Sequence, residues 1–316
     1  FIIPISTLVG LLVYGFSPTY AAGISIITII LASYLTKHKK MGLQEIMEAL
    51  ALGSQNMVVT GILLISVGII VGVINISGVG ITFSQLIMEW SGNSLLLAIV
   101  LVALASLILG MGLPVTASYV VLSVLSAPAL VGLMLSPEMA ALVNAGITLP
   151  EVTMFLLSAH LIIFWLSQDS NLTPPVCLAA FAAAAIAKTP PMKTGIVSWK
   201  VGKGMYIIPL LFAFTPLITG NWIERFEVFS FALLGIMSFS IVMEGYWDKK
   251  IDIVSRVLFA IGAVFLLIQD ETLGLVSYFE VIQNIHIVGL IIFIVLMFLH
   301  KISAKKEKEL AYATIS

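Results

Sequence analysis

The stretch Leu107-Ile108-Leu109-Gly110-Met111-Gly112-Leu113-Pro114-Val115-Thr116-Ala117-Ser118-Tyr119 decides how this chain folds. It lies in the middle of residues 90–137, which carry no charge. A helix needs about 20 residues to cross a bilayer, so this run is too long for one span. Gly110 and Gly112 can end a helix and allow left-handed backbone, and Pro114 suits the first turn of a new helix. A second interruption follows. Ser167-Gln168-Asp169-Ser170-Asn171-Leu172-Thr173-Pro174-Pro175 breaks the segment 152–187, and Thr173 reads as an N-cap ahead of the two prolines. Each stretch can form two spans, a re-entrant hairpin or one broken helix.

The rest of the chain has the same apolar character. Of 316 residues, 60% are hydrophobic and 10% charged; an ordinary globular domain has about 25% charged residues. Mean hydropathy is +1.15. The 15 Lys+Arg and 16 Asp+Glu are too few to cover the surface of a soluble domain of this size. The composition excludes a soluble enzyme, a nucleic-acid binder and a disordered chain, and leaves an all-α polytopic membrane protein. A net charge of −1 offers no bulk attraction for an anionic partner. Cys177, the single cysteine, reads as a small buried apolar residue rather than a disulfide or metal ligand. The chain begins at Phe1 with no signal peptide ahead of its first apolar segment, and reads as the C-terminal portion of something longer.

Charges punctuate the spans. Residues 1–36 are uncharged and broken at Gly15-Phe16-Ser17-Pro18, which predicts helices over 1–15 and 18–36. Run 49–88 holds one span near 57–77, flanked by segments 42–55 and 80–92 that read as amphipathic helices at the interface. Further spans are predicted near 204–221, 228–246, 252–269 and 282–300. Fourteen of the fifteen basic residues fall in four clusters, at 37–40, 188–203, 249–256 and 301–308. All four lie on one side of the membrane, as the positive-inside rule requires, if residues 90–187 cross an odd number of times. One of the two interrupted stretches then enters and leaves by the same face and the other crosses once. Charge parity does not say which.

Unpaired backbone in lipid costs several kcal/mol per group, so a helix breaks there only where protein or water covers the break. A new helix beginning inside the membrane presents free N–H groups and about half a positive charge, while freed carbonyls and short hydroxyls suit a cation. Asp169 is the carboxylate deepest in a candidate crossing. Such a residue is functional by default, as a cation ligand or a proton carrier, although it can also cap local N–H groups beside the break. His160 lacks a second ligand nearby and reads as a packed or hydrogen-bonded core histidine. Asn75 reads as interfacial. No P-loop, His-Glu-x-x-His or nucleophile elbow is present, and no paired groups support an intramembrane enzyme. The competing reading of both breaks is a pair of proline kinks between tightly packed helices.

At these residues the chain resembles a known family. Residues 107–119 are close to the "LGMGLPTTAAY" motif of TRAP transporter large membrane (permease) subunits of the TAXI type. Ser170-Asn171-Leu172-Thr173-Pro174-Pro175-Val176 with Ala179-Ala180-Phe181 matches that family's "TPPVALAAFAAAAIA", and Pro191-Met192-Lys193-Thr194-Gly195 matches "DPMKTG". The resemblance covers about residues 1–220. It implies an inverted-repeat, elevator-type fold, of which this chain holds one half, with a re-entrant hairpin at about 93–133 and a discontinuous helix at about 152–187. It implies scaffold spans and interfacial helices over 1–92, a transport domain over 93–221, and additional C-terminal helices with a basic cytoplasmic tail over 222–316.

The implied function is binding-protein-dependent uptake of small organic anions such as carboxylates, with no organic cofactor, across a bacterial cytoplasmic (inner) membrane. The implied partners are a periplasmic substrate-binding protein, and a small membrane subunit or fused N-terminal half carrying the first repeat. No nucleic acid is implied. The expected cation ligands are Gly110, Met111, Gly112, Thr116, Asp169, Ser170, Asn171 and Thr173, with Na⁺ held at Gly110, Gly112, Asn171 and Thr173. The expected substrate contacts are Leu113, Pro114, Thr173, Pro174 and Pro175. Many members have an aspartate where Asn171 stands, and here the carboxylate is Asp169. Na⁺ and a proton carried by Asp169 are therefore alternative coupling ions. The alternative of a different class is a non-transporting assembly or anchor subunit with proline-kinked helices.

Overall fold

The computed structural model describes residues 2–35, 40–111, 113–147, 149–268 and 285–315. Lys37, Lys39 and Gly112 lie outside them, as do the end of the span predicted at 252–269 and the start of that at 282–300. The chain is an all-α polytopic membrane protein. Six helical stretches among the described residues are long and apolar enough to cross a membrane. The chain divides into two units, residues 1–68 and 69–316.

In the first unit, α1 (Ile2–Val13) and α2 (Pro18–Ser33) pack together. The break between them falls where Gly15 takes φ +86°. Ser17 then caps α2, its side chain accepting from Tyr20 N, and Pro18 occupies the first turn. α3 (Leu43–Ser77) corrects the expected division at residue 56. Segment 43–55 is not a separate interfacial helix but the first part of one continuous 35-residue helix. A glycine inside a helix costs about 1 kcal/mol and does not by itself stop it, so Gly53 is carried through. Large apolar side chains such as Ile65 and Leu52 stay more than half exposed, as a lipid-facing surface requires.

The second unit continues with α4 (Val79–Trp90), α5 (Leu95–Gly110), α6 (Val115–Met134), α7 (Pro137–Asn144), α8 (Pro150–Asp169), α9 (Leu178–Ala187), α10 (Pro191–Val201), a 3-10 turn (Gly202–Tyr206) and α11 (Ile208–Phe214). Ser94 and Ser136 cap α5 and α7, and Pro150 starts α8. Helices α4, α5, α6, α8 and α11 share one core, in which Ala98, Val102, Leu122, Leu130, Ile162 and Ile163 are fully buried. Segment 80–92, expected at the interface, lies in α4 and packs on α6. Pro128 inside α6 removes one backbone donor. Nearby, the Ser84 hydroxyl of α4 donates to the Leu125 carbonyl at 2.6 Å. The predicted span at 204–221 is also corrected. The helical run begins at Pro191, passes through the 3-10 turn and ends at Phe214, because Gly202, Gly204 and Pro209 disrupt regular α-helix in its middle and Pro216 follows its end.

The chain ends in a three-helix bundle of α12 (Trp222–Glu244), α13 (Ile253–Leu267) and α14 (Ile285–Ile315). Asn221 and Glu224 form a capping box at the start of α12. Gly245 at φ +64° ends it, and a tight turn pairs Tyr246–Trp247 (β1) with Lys249–Lys250 (β2). Phe259, Leu266 and Phe293 fill the core. Close approach depends on small residues, as in other membrane bundles: a Cβ on Gly289 of α14 would stand 2.8 Å from the Leu266 backbone nitrogen of α13. The Lys200–Glu244 ion pair, 2.8 Å, joins α10 to this bundle.

Candidate functional site

Both predicted breaks are present, and the second unit brings their ends together. α5 stops at Gly110 and α6 starts at Val115. α8 stops at Asp169, and α9 does not begin until Leu178. Gly110 is buried and helical, without the left-handed backbone expected of it. Its lack of a side chain serves a different end: a Cβ on Gly110 would overlap both Oγ and Cβ of Ser170. The last residue of α5 therefore rests directly on the first residue beyond α8. Two interhelical hydrogen bonds hold the surroundings. Ser106 Oγ of α5 donates to the Leu166 carbonyl at 2.8 Å, and Tyr119 OH of α6 is 3.0 Å from His160 Nδ1 of α8. His160 is thus tied into the packing between α6 and α8.

The polar atoms at this junction are incompletely satisfied. Asp169 is 2% exposed, and its Oδ1 has no hydrogen-bond partner among the described residues. Ser118 is fully buried in the first turn of α6, and its Oγ also lacks a partner. That oxygen lies 3.7 Å from the place a Gly110 Cβ would occupy. A buried polar atom left unpaired costs about 1–3 kcal/mol. The Ser170 hydroxyl donates to the Ser167 carbonyl at 3.3 Å.

Other expected site residues are distributed differently. Thr116 and Pro114 are exposed on the first turn of α6, Leu113 is half-buried, and Met111 is 37% exposed. Gly112 lies outside the described residues. Asn171 and Pro174 are half-buried in the second break, and Pro175 is exposed. Thr173 is not the N-cap expected of it. Its backbone N–H donates to the Asp169 carbonyl at 2.8 Å, and its hydroxyl is hydrogen-bonded to Tyr206 OH. Each proline pushes the residue ahead of it, Thr173 and Pro174, toward extended backbone, and α9 starts behind Cys177 instead. Neither Pro114 nor Cys177 makes a side-chain cap, which leaves the first N–H groups of α6 and α9 without that partner.

Three contributors escaped the sequence reading. Ser106 and Ser118 each stand one helical turn from their own edge of the first break, a signal in an otherwise apolar run. Tyr206 carries no local signal, because the 3-10 turn brings it to Thr173 from 33 residues away. Among the described residues, no three of His, Cys, Asp or Glu converge as a metal cluster.

The sequence profile of the DctM component of the tripartite ATP-independent periplasmic transporters matches residues 1–218. The chain belongs to the DctM family. No curated protein and no solved structure matches it. As a DctM-family chain it is a transporter component and not an enzyme. The matched region ends ahead of α12, so both breaks lie inside it and the C-terminal bundle outside it.

Proposed function

We propose that this DctM protein is the large membrane component of an ion-coupled, TAXI-type importer of small organic anions, acting in a bacterial inner membrane. The observation that carries the reading is the pair of buried, unpartnered oxygens, Asp169 Oδ1 and Ser118 Oγ, beside the Gly110–Ser170 contact. One carboxylate with neutral hydroxyl and carbonyl oxygens suits a monovalent hard cation, and the same carboxylate suits a proton. Asp169, Ser118, Ser170 and Asn171, with backbone carbonyls near Gly110 and Gly112, would hold Na⁺. A bound cation would supply the positive charge that makes a buried Asp169 carboxylate tolerable. Thr116, Met111 and Thr173 belong to the wider rim, with Thr173 held by Tyr206.

The substrate side follows from the uncapped helix starts. Backbone N–H groups at a helix N-terminus favour carboxylates. The starts of α6 behind Leu113 and Pro114, and of α9 behind Pro174 and Pro175, offer two such ends. The shared core of α4, α5, α6, α8 and α11 makes these elements one body. We take residues 93–221, joined by α4, as the part that moves, with 93–133 as the hairpin and 152–187 as the broken helix. The reading includes a periplasmic binding protein that delivers substrate, and a first repeat supplied by a small subunit or by the same polypeptide. The basic loops and the C-terminus face the cytoplasm on this reading.

The test is uptake by the complete transporter in proteoliposomes, with Na⁺ and pH gradients imposed separately. Asp169→Asn, Asn171→Ala and Thr173→Ala together are expected to abolish gradient-driven uptake. Unchanged uptake would remove the site. A complete protein that shows no uptake, and no thermal stabilisation by Na⁺ or by acidification, would point to an anchoring subunit instead.

A further inference from the structure

A cavity of about 360 Å³ opens where the end of α3 meets α4 and α6. Gly80 of α4 allows the meeting. A Cβ there would stand 3.3 Å from Ile74 Cγ2 of α3 and 3.6 Å from the Val124 carbonyl oxygen of α6. Val124 and Pro128 both line the cavity. Pro128 has no N–H, so the carbonyl four residues before it, that of Val124, lacks its helical donor. The Ser84 hydroxyl, also in the lining, does not replace that donor, because it is spent on the Leu125 carbonyl at 2.6 Å.

Two side-chain amides, Asn75 and Gln85, join the lining; both are exposed and neither is bonded to another described residue. Glu89 follows Gln85 by four residues, which puts it on the same face of α4 and one turn nearer the helix end. Its carboxylate is exposed and makes no ion pair among the described residues. No lysine or arginine occurs between Lys40 and Lys188, so α3, α4 and α6 supply no cation of their own.

Such a set of accepting oxygens, with a carboxylate at its edge, matches a primary ammonium, which brings three N–H donors and one positive charge. A choline headgroup carries the same charge without a donor. The amide N–H groups of Asn75 and Gln85 suit a phosphate beside the ammonium. The position suits a lipid. Glu89 is the first charge after the uncharged run 49–88, and Trp90, 70% exposed, is of the residue type enriched where hydrocarbon meets headgroups. Ile74, Ile81 and Met88 make the rest of the lining apolar, as an acyl chain requires.

We propose that this cavity holds a phospholipid with a primary-amine headgroup. Its ammonium donates to the Val124 carbonyl and the Gln85 side-chain oxygen, Glu89 balances its charge, and an acyl chain lies along Ile74 and Ile81. The lipid fills the cleft in which α3 ends against α4 and α6.

The complete protein, purified in phosphatidylcholine nanodiscs doped with phosphatidylethanolamine, tests this by native mass spectrometry of retained lipid and by thermal unfolding. The wild type is expected to retain phosphatidylethanolamine in preference to phosphatidylcholine, to be stabilised by it, and to lose the preference as the amine is methylated stepwise. That series decides the matter even if a variant fails to fold. Gln85→Leu with Glu89→Gln should lower retention of phosphatidylethanolamine about fivefold or more, on the contribution of one hydrogen bond to a charged group. Gln44→Leu with Glu48→Gln, the same change in an exposed pair of the same spacing on α3, should leave retention unchanged. Equal retention of the lipids across the methylation series, an unchanged Gln85/Glu89 variant, or an equal loss in the control pair would each overturn the proposal. Preferential retention of doped phosphatidylglycerol would overturn it in favour of an anion site, and stabilisation by free ethanolamine equal to that by the lipid in favour of a soluble-amine site.

Discussion

Gly110 and Ser170 meet without space for a methyl group between them. This contact joins the end of α5 to the end of α8, and it makes the two breaks one junction rather than two separate kinks.

Replacing Gly110 by alanine should force this junction apart. Overpacking of a tight contact costs about 1–3 kcal/mol. Gly110→Ala is expected to lower the thermal unfolding midpoint and to reduce uptake, and Ser170→Gly in the same chain should restore much of the midpoint but not the uptake, because it also removes the Ser170 hydroxyl from the proposed cation site. A double-mutant cycle on the two sites measures the coupling. Full additivity of the two substitutions would contradict the contact.

The Thr173–Tyr206 hydrogen bond makes a second coupled pair. Tyr206→Phe and Thr173→Val should each cost about 1 kcal/mol, and the double variant little more than either alone. If Thr173 needs this bond to sit correctly in the break, Tyr206→Phe should also weaken coupling-ion dependence while the protein remains folded. Ion titration of uptake measures that effect.

Much of the helical layout was legible because its determinants are local. An uncharged run ends where Gly, Pro or a small hydroxyl stops it, so the breaks at Gly15–Pro18, at Gly110–Pro114 and after Asp169 could be read directly. Where breaks meet was not legible, since Gly110 looks the same whether it serves a turn or a close contact, and Ser170 lies 60 residues away. Thr173 was misread for a related reason: the N-cap pattern is local, while the bond its hydroxyl makes is to Tyr206. Two adjacent prolines also pushed the start of α9 to Leu178. The continuity of α3 was hidden because the Glu, Gln and Ser residues mixed into 42–55 read as an amphipathic segment at the interface, and a change in polarity along a chain does not stop a helix.

In the C-terminal bundle, Gly289→Ala places a methyl group 2.8 Å from the Leu266 backbone nitrogen, which cannot swing aside as a side chain can. A loss of about 1–3 kcal/mol is expected, read as a lower unfolding midpoint. Gly10→Ala, in a helix with open space around it, should be neutral or slightly stabilising.

Asp252 caps α13, its carboxylate accepting from Ser255 N at 2.9 Å, and this bond holds its carboxyl below the ordinary carboxylate value. The sign follows. The stabilisation is fully present above the ordinary aspartate pKa of about 4 and is lost as pH falls through the lower folded value. Asn caps comparably and does not titrate. The difference in unfolding midpoint between wild type and Asp252→Asn should therefore stay constant from neutral pH to about 5 and shift against the wild type in stronger acid.

The Lys200–Glu244 pair has a consequence for motion. It moors the appended bundle to the same body that carries the paired breaks, and Gly204 lies close against Ile236 beside it. If that body travels during a transport cycle, the bundle must either ride along as cargo or slip this tie on every stroke. An exposed ion pair holds loosely and loosens further in salt, so this tie would yield at little cost on such a stroke.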